Sequence, residues 1–210
     1  MAYPILAYVH LFSFPVPAVV GIAKYARLQR AMKTLTILSI FACIDVGTQY
    51  VLASFKVKNY FVSDYFRVIE VGLLSMVFQM LSGERRVRTI LRWMGGVFIA
   101  VWIVDMVVEV PAQINNAMEM ISRIFILVMS LISLQASMKD ESSPLVERSV
   151  FWVGLGAALY SSGTMVLVGL SNYLMQLGNS YFLAAWHINW ALLIVANLFY
   201  TKGMLCKYQG

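Results

Sequence analysis

Charge and cysteine are both scarce in this sequence. Only 12% of its 210 residues are charged while 60% are hydrophobic, against roughly 25% charged and 45–50% apolar in an ordinary soluble domain, which excludes a water-soluble globular chain and points to an integral membrane protein. The two cysteines, Cys43 inside an apolar run and Cys206 near the C-terminal end, provide neither a disulfide framework nor a cysteine-based metal centre. Histidine is as rare, with His10 and His187 alone. A nucleophile elbow, a glycine-rich phosphate loop and a zinc-protease helix motif are all missing, so an enzyme would have to use carboxylates in an unrecognised way, and a non-enzymatic role is favoured without enzymatic activity being decided. The N-terminal apolar run has no positive segment before it and no small-residue cleavage site, so it is expected to persist as a membrane span. The net charge of +6 resides in loop-flanking residues, with no basic tail or aromatic-basic patch left over, which argues against nucleic acid as a partner.

What the chain has in abundance is long apolar runs. Stretches of about 20 mostly apolar residues fall near 3–23, 34–55, 62–82, 91–111, 116–138, 149–171 and 180–203. The runs are continuous rather than alternating with period two, which excludes a β-barrel. The expectation is an all-α integral membrane fold: a seven-transmembrane-helix bundle forming a single domain over residues 1–210, with the lipid bilayer as its first partner. Loops are too short for a soluble domain, and no internal repeat supports an inverted-repeat transporter. In the first span Pro15 and Pro17 should kink the helix, because each lacks an N–H and its ring clashes with the preceding turn.

Loop charge predicts the orientation. Lys24, Arg27, Arg30 and Lys33 follow the first span, Arg85, Arg86, Arg88 and Arg92 the third, Lys139 and Arg148 flank the fifth loop, and Lys202 and Lys207 end the chain. The opposite loops hold Lys56 and Lys58, while "PAQINN" and "SNYLMQLGNS" are uncharged. By the positive-inside rule the N-terminus lies outside and the C-terminus in the cytoplasm, in what reads as a bacterial cytoplasmic membrane.

Ionisable residues inside spans are costly and usually face the bundle interior. Asp45 and Gln49 lie in the second span, Arg67 and Glu70 in the third, Asp105 and Glu109 in the fourth, and Glu119 and Arg123 in the fifth. Each pair is three or four residues apart and so shares a helix face. Counting about 1.5 Å per residue from the external ends puts most of them roughly 5–15 Å below the outer surface, forming a polar pocket that opens outward. The simplest alternative pairs Arg67 with Glu70 and Arg123 with Glu119 along their own helices. That leaves four acids, Asp45, Glu70, Asp105 and Glu119, facing two arginines, and isolated buried carboxylates are expensive. Either some are protonated, or the pocket holds a proton, a cation or a cationic ligand.

His10 and His187 sit at similar depth on the first and last spans. A shared haem or metal is conceivable chemistry for two imidazoles, but a hydrogen-bonded structural role takes precedence, and no cofactor is required by the sequence. Trp186 and Asn189 are expected as pocket contacts beside His187. Trp102 and Trp190 are divided between pocket lining and interfacial anchoring, and Trp93 and Trp152 read as anchors at the cytoplasmic ends. In the sixth span "GLGAALYSSGT" combines Gly154, Gly156 and Gly163 with Tyr160, Ser161, Ser162 and Thr164, a pattern read as close helix packing.

Known seven-helix chemistries fit poorly. Retinal proteins need a Schiff-base lysine in the middle of the last helix, whereas Lys202 stands at its cytoplasmic end; ceramidase-type zinc amidases need more histidines. "SGERRVR" and "NLFY" match the arginine and asparagine-tyrosine motifs of eukaryotic-type receptors only superficially. The final third, "FWVGLGAALYSSGT" through "AAWHINWALLIVANLFYTKGMLC", resembles a group of uncharacterised bacterial seven-helix membrane proteins, in its Phe-Trp start, its Tyr-x-Ser-Gly stretch and the Trp-then-Asn order of the last span. The resemblance extends more loosely to acids in the second, third and fifth spans, here Asp45, Glu70 and Glu119. It implies a sensory or signalling role associated with histidine kinases, and it implies no biochemical activity; His187 has no counterpart in it, and a signalling partner or membrane subunit is the expected partner.

Together these readings set three expectations. The first is a receptor-like module whose outward acidic pocket binds a small or cationic ligand and signals to a partner. A proton- or cation-coupled transporter or channel would use the same carboxylates as a relay, but needs polar groups across the whole thickness. A structural or assembly subunit would use them only to fix packing.

Overall fold

A computed structural model of the chain describes residues 5–57, 59–108, 116–139 and 143–206. It is an all-α, membrane-type bundle, with helices α1 (Ile5–Ser13), α2 (Pro15–Ala23), α3 (Arg30–Ser54), α4 (Tyr60–Leu81), α5 (Arg85–Val108), α6 (Asn116–Met138), α7 (Ser149–Leu177) and α8 (Asn179–Met204). Counting α1 and α2 as one run, six helical segments among the described residues are long and apolar enough to cross a membrane. The exception is α4, of ordinary spanning length but carrying Asp64, Arg67 and Glu70. Large apolar side chains point outward from most helices, including Phe12, Ile44, Ile103, Val166 and Leu198. In water such a surface would aggregate; against lipid it costs nothing.

The expected kink appears as an interruption of the first run at Phe14, with Pro15 opening α2. Two boundaries differ from the sequence expectation. Helix α5 begins at Arg85, so Arg85, Arg86, Arg88 and Arg92 form its first turns rather than a loop; arginine is a good helix former and its long stem reaches polar surroundings from a helix. The stretch "SNYLMQLGNS", expected as a loop, is helix on both sides of Gly178, whose φ of +127° supplies the joint between α7 and α8. A residue with a Cβ rarely adopts that backbone conformation.

The helices close into a ring. The α1/α2 run packs on α3 and α8, α3 on α4, α4 on α6, α6 on α7 and α7 on α8, while α5 packs on α4 and α6 from outside. One end of this ring is tightly filled: Met32, Leu35, Leu74, Val77, Phe78, Met129, Val153 and Met204 are almost completely buried. Hydroxyls at this end are bonded to backbone carbonyls, Thr36 to Met32, Ser75 to Leu91, Ser133 to Met129 and Ser149 to Gly203. Arg148, buried at the start of α7, donates to Ser137 O at 2.7 Å and Ser143 Oγ at 2.9 Å, tying down the α6–α7 connection.

Glycines permit this closeness. A Cβ at Gly156 would stand 3.2 Å from both the Ala196 carbonyl oxygen and Phe199 Cβ of α8, while Gly154 faces Leu134 of α6 and Gly163 faces Leu192 of α8, so the packing reading of the sixth span holds for all three. The ionisable residues gather toward the other end of the ring, around two cavities.

Candidate functional site

The site is built around two ion pairs that cross between helices rather than along them. Helices α4 and α6 run side by side in the same direction. Arg67 of α4 donates to Glu119 of α6 at 3.1 Å, and Arg123 of α6 donates to Glu70 of α4 at 3.0 Å. The alternative of intrahelical Arg67–Glu70 and Arg123–Glu119 pairs is thereby corrected. On each helix the arginine and the acid share a face, as expected, but that face is turned to the neighbouring helix, and the neighbour offers a carboxylate with no need to bend a long side chain back along its own helix. Arg67 is also bonded to Asp64, one turn earlier on α4. Asp64 was missed by the sequence reading; its position three residues before Arg67 was the available signal.

These charges are buried. Arg67, Glu70 and Arg123 are each more than nine-tenths removed from solvent, a situation tolerated only when the charges are paired. The guanidinium of Arg123 also lies 4.9 Å from the centre of the Tyr160 ring, a cation–π distance.

Inside the ring lies a central cavity of about 290 Å³. Of the residues expected to form a pocket, Asp45, Gln49, Arg67, Glu70, Glu119, Arg123, Trp186 and Asn189 all line it, as does His10. Trp190, divided in the sequence between pocket lining and anchoring, lines it, and the structure adds Tyr160, Asn197 and Tyr200. Asp105 does not join them. It lies on α5, outside the ring, on the side of α4 where Trp102 Nε1 donates to the Asp64 carbonyl at 3.1 Å; Glu109 lies outside the described residues. The face shared by Trp102 and Asp105 is therefore spent on the outer surface of α4.

His187 does not line the cavity either. Its imidazole packs on the indole of Trp190, with ring centres 5.2 Å apart, and His10 of α1 stacks on the same indole at 5.8 Å. The two histidines thus share an aromatic neighbour, and no cluster of three or more metal-ligating side chains occurs among the described residues. Helix contacts around the cavity are fixed by polar pairs: Thr164 of α7 donates to Asn189 Oδ1 at 2.7 Å, and Asn197 of α8 donates to Ser13 Oγ of α1 at 3.0 Å.

The balance of partners in the cavity is uneven. Asp64 and Glu119 share the one guanidinium of Arg67, and Glu70 uses one oxygen on Arg123. Asp45 Oδ2 accepts from Gln49 Nε2 at 2.8 Å, and no basic side chain pairs with it among the described residues. Asp45 Oδ1, Glu70 Oε2 and Arg123 Nε are buried without any hydrogen-bond partner. Leaving such groups unmade costs about 1–3 kcal/mol each, more where charged, so the cavity is chemically suited to a polar guest and, through its surplus carboxylates, to a cation.

A second, mouth cavity of about 300 Å³ lies between α3, α4, α6, α7 and α8, toward the end of the ring where the ionisable residues gather. It shares Gln49, Ser63, Arg67, Glu119 and Trp186 with the central one. No family model, curated protein or solved structure matches the chain.

Proposed function

We propose that the chain is a receptor-like, sensory protein of a bacterial cytoplasmic membrane, with seven transmembrane helices, the N-terminus outside and the C-terminus in the cytoplasm. Its pocket, in the outer half of the bundle, takes a small cationic ligand, and movement of the helices passes that state to a signalling partner or membrane subunit. Helix α4 is the seventh span: its 22 residues extend about 33 Å at 1.5 Å per residue, and its charged face is turned into the ring, away from lipid.

The observation that carries this reading is the pair of buried, unpartnered carboxylate oxygens, Asp45 Oδ1 and Glu70 Oε2, in one cavity walled by Trp186, Trp190, Tyr160 and Tyr200. Carboxylates set among aromatic faces form a recurrent recognition chemistry for ammonium groups. The tight apolar packing below Tyr200 favours sensing over transport, because a conducting route needs polar groups or water through the whole thickness. A structural reading, in which the charges only lock α4 to α6, is favoured by the two crossed ion pairs; it gives no role to Asp45, which lies on α3 outside both of them.

The test is methylamine binding to gently purified protein by isothermal titration calorimetry, with native mass spectrometry to reveal any copurifying cation, lipid or subunit. Saturable binding abolished in the Asp45→Asn, Glu70→Gln double variant supports the pocket. Equal binding by wild type and the double variant, or no saturable binding by wild type of methylamine or a longer primary amine, refutes it.

A further inference from the structure

The geometry points to a hydrophobic primary amine as the ligand, with its ammonium in the central cavity at Asp45 and Glu70 and its apolar body in the mouth cavity against α7 and α8. This rests on the cation-pocket reading above and adds to it a ligand class and a second subsite.

The argument begins with the wall between the two cavities. They share Gln49, Ser63, Arg67, Glu119 and Trp186, so a single layer of side chains divides them and one elongated molecule lying past that layer would touch both. Around this layer negative charge is in excess, because the Arg67 guanidinium is held both by Glu119 in the layer and by Asp64 of the mouth cavity. An anion crossing it would meet carboxylates with their only cation already engaged. A cation would meet none of that opposition.

The two compartments then ask for different ends of one molecule. In the central cavity the unpartnered oxygens of Asp45 and Glu70 are acceptors, and Glu70 is 8% exposed, so water reaches it poorly. Acceptors of this kind need N–H donors. A primary ammonium offers three, whereas a quaternary ammonium offers only charge and would leave both oxygens unmade. In the mouth cavity Leu167, Val168, Leu174, Met175, Phe182 and Ala185 form an apolar wall from α7 and α8, interrupted by Ser171, whose hydroxyl donates to the Val168 carbonyl at 2.7 Å. Of the polar residues on the opposite side, Asn59 is bonded to the Gln49 carbonyl at 3.1 Å and Asp64 to Arg67. A small hydrophilic cation leaves the apolar wall unused; an alkyl or aryl chain covers it.

The experiment compares methylamine, hexylamine, hexyltrimethylammonium and hexanoate by calorimetry on wild type, on Asp45→Asn, and on two variants that fill the mouth cavity, Ala185→Phe and Ser171→Phe. Burial of a methylene contributes up to about fourfold in affinity, so hexylamine is expected to bind wild type at least 30-fold more tightly than methylamine. Hexyltrimethylammonium is expected to bind at least tenfold more weakly than hexylamine, and hexanoate not at all. Each filled variant should bring the ratio of hexylamine to methylamine affinity to within about threefold of one, and two independent fillings keep the test decisive if one variant fails to fold. Asp45→Asn should weaken both amines tenfold or more. Equal binding of the two amines to wild type, with both lost in Asp45→Asn, overturns the mouth subsite and leaves the cation pocket standing. A chain-length gain that survives the filled variants places the chain elsewhere and also overturns the subsite, and hexanoate binding as tightly as hexylamine overturns the ligand class. No saturable binding of either amine refutes the pocket itself.

Discussion

Arg123 on α6 reaches Glu70 on α4 at 3.0 Å, with both side chains buried in the ring. Removing one partner of such a pair leaves the other charge buried and uncompensated, which typically costs about 3–5 kcal/mol. Arg123→Met should therefore destabilise the bundle by about that much, read as the shift in denaturant midpoint in detergent micelles. The double variant Arg123→Met, Glu70→Gln should recover a large part of the loss. A double variant as unstable as the single one would show that the pair is not coupled.

Asp45 behaves differently because no basic side chain pairs with it among the described residues. Asp45→Asn keeps the size of the side chain and its contact with Gln49 while removing an unpaired charge, so stability should change by less than about 1 kcal/mol or rise. A thermal unfolding midpoint that fell sharply would contradict the placement of Asp45 as an unpaired lining residue.

The α7–α8 interface depends on Gly156. A side chain there meets the Ala196 carbonyl and Phe199 Cβ at 3.2 Å, and backbone cannot yield as a flexible side-chain tip can. Gly156→Leu should cost about 1–3 kcal/mol through overpacking. By contrast Gly47, whose Cβ would meet nothing within 4 Å, should accept alanine with little loss, and comparison of the two unfolding curves checks the contrast.

Asn197 and Ser13 join the last helix to the first. Interhelical hydrogen bonds in membrane proteins contribute about 0.6 kcal/mol on average and up to about 1.7, so Asn197→Ala is expected to fall within that span. A double-mutant cycle with Ser13→Ala isolates the bond from the packing of the two side chains.

Orientation is tested by labelling. In a background of Cys43→Ser and Cys206→Ser, a membrane-impermeant maleimide added to intact cells should label Val57→Cys and leave Lys24→Cys unlabelled until the membrane is permeabilised. The reverse pattern would place the pocket on the cytoplasmic face.

Which parts of the site could be read in the sequence follows from the range of each interaction. Asp45, Glu70, Glu119 and Arg123 announce themselves, because an ionisable group inside an apolar run must turn inward whatever the neighbours are. Asp64 escaped notice because it stands near a span end, where acids also occur for solubility. Asp105 looked equivalent to the others in spacing and depth, yet it belongs to the one helix outside the ring. Tyr160 and Tyr200 gave no signal, since a tyrosine in an apolar helix is compatible with lipid, packing or a cavity wall.

The sequence by itself determined that this chain is helical and membrane-type, where most of its helices lie and which residues are too polar to face lipid. These are consequences of local composition and helical period. Only the tertiary structure decided that Arg67 pairs with Glu119 rather than Glu70, that α5 stands apart from the ring, and that Asp45 lines a cavity with no cationic partner among the described residues. The choice of partner depends on the rotation and neighbours of whole helices, and in a bundle where one apolar surface packs nearly as well as another, that arrangement is set by many long-range contacts at once rather than by any single stretch of chain.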